Sequence, residues 1–250
     1  WHGGEAMSAF GHYLALAWFA GSRHRELRRP LLSEQLLRQI YNGGVLALPV
    51  VGALALLTGI AAVTQLSALV GTDSDLTQRM IFLGVFFELA PLLSALVVVA
   101  RSSAGIASEL AVMHLHDEFV SLRRLGVPAA DYLLLPRIFG LMIALPAVAA
   151  CFQVLAIGSG WIAIALLEGR PLDETAGRFL ELAEPMLVVL SMVKSTLMGA
   201  AIGIIACHHG SSGERSAQAI SNAAIQAVGT GLIAVFVIDV LFAILVYALR

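Results

Sequence analysis

The sequence predicts an all-α integral membrane protein, and three observations support this fold class. Hydrophobic residues make up 59% of the 250 residues and charged residues 13%, whereas soluble domains average about 25% charged residues. The mean hydropathy is +0.88. The apolar residues fall in five long runs, each long enough for a helix that crosses a bilayer. We therefore expect one transmembrane domain over residues 1–250, with an N-terminal interfacial helix followed by five transmembrane helices.

The N-terminal region, residues 6–40, is predicted to lie along the membrane surface. Its apolar run Ala6–Ala20 has 15 residues, which is short of the roughly 20 needed for a crossing. A basic cluster follows at once, formed by Arg23, Arg25, Arg28 and Arg29. Aromatic side chains in the run suit the headgroup region, and the arginines suit anionic lipid. A re-entrant or fully inserted helix is the alternative.

The five predicted spans are Val45–Val70, Met80–Ala100, Ile138–Leu167, Pro185–Cys207 and Val228–Ala248. The first two are joined by the short connection GTDSDLTQ, so they should be antiparallel neighbours. The third run exceeds one straight crossing, and we expect tilt or a break near Pro146 or Gly158–Gly160. The polar stretch HHGSSGERS between the last two spans is interpreted as a loop.

The segment Ile106–Pro128 between the second and third spans is predicted to form one amphipathic helix. Two stripes at helical spacing support this prediction: the apolar stripe is Val112, Leu115, Phe119, Leu122 and Leu125, and the polar stripe is His114, Asp117, Ser121 and Arg124. Gly126 and Pro128 supply a stop. Such a helix can dock onto a soluble partner.

The distribution of basic residues predicts the orientation, because positively charged loops stay in the cytoplasm. With a cytoplasmic N-terminus, ten arginines lie inside: Arg23, Arg25, Arg28, Arg29, Arg38, Arg101, Arg123, Arg124, Arg137 and Arg215. Only four lie on the other side: Arg79, Arg170, Arg178 and Arg250. We expect a cytoplasmic N-terminus, a periplasmic C-terminus and a cytoplasmic 106–128 helix.

Composition and motifs argue against several kinds of function. A net charge of −2 does not suit a nucleic-acid partner. His114 and His116 point about 200° apart on a helix, so no metal site is expected. Ser159 has neither a G-x-S-x-G context nor an obvious partner histidine. No phosphate-binding G-x-x-x-x-G-K-[ST] motif occurs, so any ATP must bind to another chain.

Three ionisable residues lie in or near the ends of the spans: Glu88, Lys194 and Asp239. Each costs about 2.5–3.5 kcal/mol at the centre of a membrane helix, so such groups usually serve a function. One interpretation is a polar anchor for a zwitterionic or anionic lipid headgroup in an apolar cavity. The other is a buried ion pair, or a side chain reaching to the membrane surface, that only fixes packing. The small-residue motif Gly199-x-x-x-Gly203 would let helices approach closely within the subunit or across a dimer, and we expect the contact within the subunit.

From Leu36 onwards the chain resembles the MlaE/YrbE family of ABC-transporter permeases, which act with MCE proteins in lipid transport. The segments that carry the resemblance are QIYNGGVLALPVV, FELAPLLSALVVVARSSAGIASELAVMHLHDEFVSLRRLGV and YLLLPRIFG. The family pattern Glu-Leu-Gly-Pro reads Glu88-Leu89-Ala90-Pro91 here. Three family glycines are replaced by alanine, at Ala90, Ala100 and Ala111.

The resemblance implies that the 106–128 segment is a coupling helix seated on an ATPase. The implied coupling residues are Glu109, Met113, His114, Asp117, Glu118, Ser121 and Arg124. The family's Met-Arg and Glu-Gln pairs read Met113-His114 and Asp117-Glu118 here, so partner specificity should be tested there first. Two positions that are basic in some relatives are Asn222 and Gln226.

The resemblance also implies a homodimer in the bacterial inner membrane, with a lipid cavity lined by the first, second and fifth spans. Its expected partners are a cytoplasmic ABC ATPase dimer, a periplasmic hexamer of MCE-domain protein and a small STAS-domain regulator. Phospholipid is the implied substrate. The chain itself is expected to be no enzyme and to bind no cofactor, with ATP and Mg²⁺ held by the ATPase. An ATP-independent channel or carrier for a small solute is the alternative, and an intramembrane enzyme using Ser159 or His114 is a third class.

Overall fold

The computed structural model of the chain describes residues 3–22, 30–70, 82–126, 128–168, 185–212 and 216–248. Within these residues the chain is helical without strands, and five helices are long and apolar enough to cross a membrane. The predicted all-α membrane fold is confirmed. Some sequence predictions fall outside the described residues: the basic cluster within 23–29, the connections 71–78 and 169–184, and Arg79, Arg170, Arg178, Arg215 and Arg250.

Two helices precede the spans, α1 (Gly3–Ser22) and α2 (Pro30–Gly43). The described parts of the spans are span 1 (Leu48–Val70), span 2 (residues 82–115), span 3 (Leu135–Glu168), span 4 (Pro185–Ser211) and span 5 (Ala217–Ala248). In span 2, π-helical Phe82–Leu89 and Val99–Ser103 alternate with α-helical Ala90–Val98 and Ala104–Leu115. Two short helices, α3 (Glu118–Arg124) and α4 (Ala129–Leu133), connect spans 2 and 3.

Span 3 lies at the centre of the bundle, where it packs against α2 and spans 1, 2 and 4. Its buried side chains follow helical spacing: Leu135, Ile138, Leu141, Leu145 and Phe152. The helix runs through Pro146 and Gly158 without interruption, so of the two predicted alternatives, tilt or a break, the break does not occur. Neighbouring helices on several sides stabilise span 3 at Pro146 and Gly158, because proline and glycine alone would weaken the helix there. Its 34 residues extend about 51 Å, which exceeds the roughly 30 Å hydrocarbon layer.

Gly199 and Gly203 place span 4 directly against the backbone of span 3. A Cβ on Gly199 would lie 2.4 Å from the carbonyl oxygen of Leu141, and one on Gly203 would lie 2.9 Å from Cα of Ile138. Side chains at either position would separate the two helices. The predicted role of this motif, packing within the subunit, is confirmed.

Spans 4 and 5 are longer than their hydropathy predicted. Span 4 continues through His208 and His209 to Ser211, so the interpretation of HHGSSGERS as a loop is wrong for its first four residues. Span 5 begins at Ala217 and not at Val228. Its first turns are polar on one face, but Ala223 and Ala227 pack against Ala107 and Ala111 of span 2. That contact stabilises the first turns of span 5, which are too polar to be detected as part of an apolar run.

Candidate functional site

The three ionisable residues of the spans meet in one ion cluster, which we call the triad. Nζ of Lys194 lies 2.8 Å from Oε2 of Glu88 and 2.7 Å from Oδ1 of Asp239. The Glu88 contact has hydrogen-bond geometry, whereas the Asp239 contact has only the distance of an ion pair. The Lys194 side chain is 0% exposed, that of Asp239 is 16% exposed and that of Glu88 is 37% exposed. The triad thus joins spans 2, 4 and 5 through one buried ammonium.

The local sequence of span 2 explains why Lys194 is held at this position. Pro91 has no backbone N–H, so the carbonyl of Phe87, four residues earlier, cannot receive its α-helical hydrogen bond. Nζ of Lys194 donates to that carbonyl at 3.3 Å and lies 4.7 Å from the centre of the Phe87 ring. Glu88 belongs to the π-helical turn that precedes the proline, and such turns often occur at functional sites.

The triad lies well inside the bundle. Lys194 is nine residues from the start of span 4 at Pro185, and Asp239 is nine residues from the end of span 5 at Ala248. At 1.5 Å per residue both lie about 14 Å from those helix ends. The segment between spans 2 and 3 is at the opposite end of the bundle, because it follows the other end of span 2.

Further polar side chains are buried beside the triad in span 4. Nε2 of Gln153 donates to Oγ of Ser191 at 2.6 Å, and Oγ of Ser195 donates to the Ser191 carbonyl at 2.8 Å. Gln153, Ser191 and Ser195 are all buried. This polar group connects span 3 to the helix that carries Lys194, and no sequence motif marks it.

The 106–128 segment differs from its prediction, because it is not one helix. Helix Ala104–Leu115 is the end of span 2, and it stops at a turn in which Asp117 has a left-handed backbone, with φ of 57°. Helix α3 then runs to Arg124, and Gly126 follows with φ of 76°. The turn rotates the second half against the first, so the apolar stripe is not continuous: Val112 is 37% and Leu125 is 78% exposed. Periodicity cannot detect such a turn, since Asp tolerates the left-handed region.

The turn divides the seven predicted coupling residues into two groups. Asp117, Glu118, Ser121 and Arg124 are exposed on or beside α3. We call these four residues the α3 surface. Glu109, Met113 and His114 belong to the end of span 2; Met113 packs on the core, and the His114 ring meets Phe119 edge-on at 5.8 Å. The structure therefore leaves four of the seven exposed on or beside α3, and it brings Glu118 and Ser121 together with Glu109 and Met113 in the lining of one cavity.

Arg137 at the start of span 3 contacts Glu109 of the other group, and it was not among the predicted site residues. Its guanidinium lies 3.0 Å from Oε2 of Glu109 and donates to the Leu133 carbonyl at 2.9 Å. The Arg137 side chain is 9% exposed and that of Glu109 is 57% exposed. The only signal in the sequence was the position of Arg137 directly before the predicted third span, Ile138–Leu167. An arginine that becomes buried there needs a carboxylate partner, because unpaired arginines are almost never buried.

A polar cavity of about 460 Å³ opens between α2, α3 and the start of span 3. Its lining includes Arg38, Asn42, Glu109, Glu118, Tyr132 and Arg137. Nε2 of Gln35 lies 3.5 Å from the Tyr132 hydroxyl across it. The cavity shows that α2, the end of span 2 and α3 lie at the same end of the bundle. Among the described residues, no cluster of three or more potential metal ligands occurs.

The N-terminal helix α1 joins this end as well. The Tyr13 hydroxyl lies 3.2 Å from Nε2 of His209, and Oγ1 of Thr230 lies 3.0 Å from the same nitrogen. His209 thus connects α1, span 4 and span 5. The bundle thus has a polar end, which carries α1, α2 and α3, and a separate ion cluster deep within the spans.

Comparison with known proteins identifies the family to which the chain belongs. Residues 36–245 match the family Permease MlaE. The chain belongs to the MlaE permease family. The match begins within α2, covers spans 1 to 4 and span 5 as far as residue 245, and includes the triad and the 106–128 segment. The expected family membership is confirmed.

Curated relatives agree with this assignment. The chain is 27% identical to a probable ABC transporter permease protein of Rickettsia prowazekii, over 81% of this chain and 79% of the relative. It is also 27% identical to a probable ABC transporter permease protein of Rickettsia typhi, over 88% of this chain and 86% of the relative. A chloroplastic Arabidopsis thaliana protein, TRIGALACTOSYLDIACYLGLYCEROL 1, is 30% identical over 61% of this chain and 43% of its own length. This MlaE-family chain is thus a multi-pass transmembrane permease subunit and not itself an enzyme.

Proposed function

We propose that this permease moves phospholipid or a related lipid between the bacterial inner membrane and a periplasmic MCE protein, driven by a separate ATPase. The observation that carries the proposal is the ion cluster of Glu88, Lys194 and Asp239 inside the spans of an MlaE-family permease. A charged site at that depth suits a ligand with a polar head and apolar tails. One relative also has a diacylglycerol lipid in its name.

Two copies of the chain form the proposed transport unit, together with two ATPase subunits that hold ATP and Mg²⁺. Span 5 leaves a long apolar face uncovered in the single subunit, including Ile233, Phe236, Val240 and Ile244. In the proposed dimer this face, with spans 1 and 2, lines the lipid cavity. The MCE partner, arranged as a hexamer, receives or delivers lipid at the end nearer the triad. A small STAS-domain regulator completes the assembly.

The α3 surface is the proposed contact with the ATPase. Asp117, Glu118, Ser121 and Arg124 are open to solvent at the end that also carries Arg38 and Arg137. Because arginines favour the cytoplasmic side, this end is placed in the cytoplasm. Motion of the ATPase would pass from α3 to span 2 through the Asp117 turn, and to span 3 through Glu109 and Arg137. The cavity would then alternate between lipid-holding and lipid-releasing shapes.

Gentle purification of the complex from its own membranes tests this function. We expect an ATPase in stoichiometric amount and bound phospholipid that mass spectrometry can identify. The variant Glu118→Arg on the α3 surface should lose the ATPase and keep the lipid. Glu34→Arg reverses an exposed charge on α2 and is the matched control, which should keep both. A chain that copurifies with no ATPase and no lipid would be better explained as a channel or carrier for a small solute.

A further inference from the structure

The charge balance of the triad bears on which lipid headgroup it would accept. Two carboxylates and one ammonium leave one net negative charge when all three groups are ionised. Among the described residues, Lys194 is the one cation that contacts Glu88 or Asp239. An uncompensated charge at this depth is costly, so a further cation that reaches the triad would be stabilised.

Accessibility within the triad is unequal, and the difference decides which group can meet a ligand. Lys194 has no exposed surface and already contacts both carboxylates and the Phe87 carbonyl. Its ammonium is therefore not available to a lipid phosphate. Glu88 keeps 37% of its side chain exposed. The reachable group is thus a carboxylate, which accepts hydrogen bonds and attracts positive charge.

We infer that the triad selects lipids whose headgroup carries an ammonium group, and that Glu88 is the residue that contacts it. The inference rests on the proposed lipid function and specifies its substrate class. A primary ammonium donates up to three hydrogen bonds, and its contact with a carboxylate is charge-assisted and strong. A headgroup whose only charge is its phosphate would bring a second negative charge towards Glu88, which opposes binding.

The test uses the purified complex in nanodiscs that contain equal amounts of phosphatidylethanolamine and phosphatidylglycerol with identical acyl chains. Native mass spectrometry counts the lipids that stay bound. One charge-assisted hydrogen bond of ordinary strength predicts about tenfold enrichment of phosphatidylethanolamine. Glu88→Gln should reduce the enrichment to about onefold, since the neutral amide attracts no cation. Glu34→Gln, an exposed glutamate outside the spans, should leave it at the wild-type value.

Asp239→Asn provides a second route should Glu88→Gln fail to assemble, because it also removes the net negative charge. It should reduce the enrichment as well. Equal binding of the two lipids by the wild-type complex, or a preference for phosphatidylglycerol, would overturn the inference while leaving the proposed lipid function intact. Wild-type complex that retains neither lipid would refute both the inference and the proposed function.

Discussion

Pro91 and Lys194 are complementary across the interface of spans 2 and 4. The proline leaves the Phe87 carbonyl without its helical donor, and the lysine ammonium donates to that carbonyl at 3.3 Å. Glu88, the next residue, then holds the same ammonium at 2.8 Å. The Glu-Leu-Ala-Pro sequence thus supplies one carboxylate, and a carbonyl left without its α-helical donor, to an ion cluster that Lys194 of span 4 and Asp239 of span 5 complete.

Replacing Lys194 should destabilise the protein. Lys194→Met removes the buried cation and leaves two carboxylates together, which is strongly unfavourable. We expect a loss of about 3 kcal/mol in unfolding free energy, the lower end of the range for a broken buried ion pair, because Glu88 is partly exposed. Thermal unfolding in detergent measures it. The triple variant Lys194→Met, Glu88→Gln, Asp239→Asn should regain much of the stability without regaining transport. A single variant as stable as the wild type would argue against the triad as a structural link.

Gly199 should tolerate no side chain. The Cβ of Gly199→Ala would meet the Leu141 carbonyl at 2.4 Å, so spans 3 and 4 must separate. The expected cost is about 3 kcal/mol, at the upper end for overpacking. Gly229→Ala in span 5 is the matched control, because no atom lies within 4 Å of its added Cβ. Equal melting temperatures for the two variants would contradict the close packing described for spans 3 and 4.

The left-handed backbone at Asp117 should matter for coupling. A β-branched residue fits this conformation poorly, whereas glycine adopts it readily. Asp117→Val should therefore weaken binding of the ATPase, while Asp117→Gly should preserve most of it. Affinity measured between purified permease and ATPase separates the two. If Asp117→Gly were as impaired as Asp117→Val, the carboxylate and not the turn would be the important feature.

Arg137 should transmit motion between the coupling segment and span 3. Arg137→Met removes its contact with Glu109 and with the Leu133 carbonyl, so ATP hydrolysis should continue with several-fold less lipid moved per ATP. Arg38→Met alters an exposed arginine of the same cavity and serves as the control. Unchanged lipid transport per ATP in Arg137→Met would show that the bridge is only structural.

Sequence reasoning predicted the helices better than their breaks. Apolar runs locate spans because bilayer thickness sets their length, and all five were found. Breaks depend on neighbours: Pro146 is held in a continuous helix by surrounding spans, whereas Asp117 interrupts a regular amphipathic pattern. For the site, the cost of charge in membranes identified Glu88, Lys194 and Asp239 separately. Their assembly around one ammonium, and the role of Arg137, require the packing of distant segments, which no local pattern contains.

Transport by the permease is measured after reconstitution with its ATPase in proteoliposomes that contain phospholipid with a labelled headgroup. For an ATP-driven lipid permease we expect labelled lipid to be extracted or inserted only when ATP is hydrolysed, and Glu118→Arg to abolish this movement. ATP-independent flux of a small solute, with no movement of labelled lipid under any condition, would contradict it.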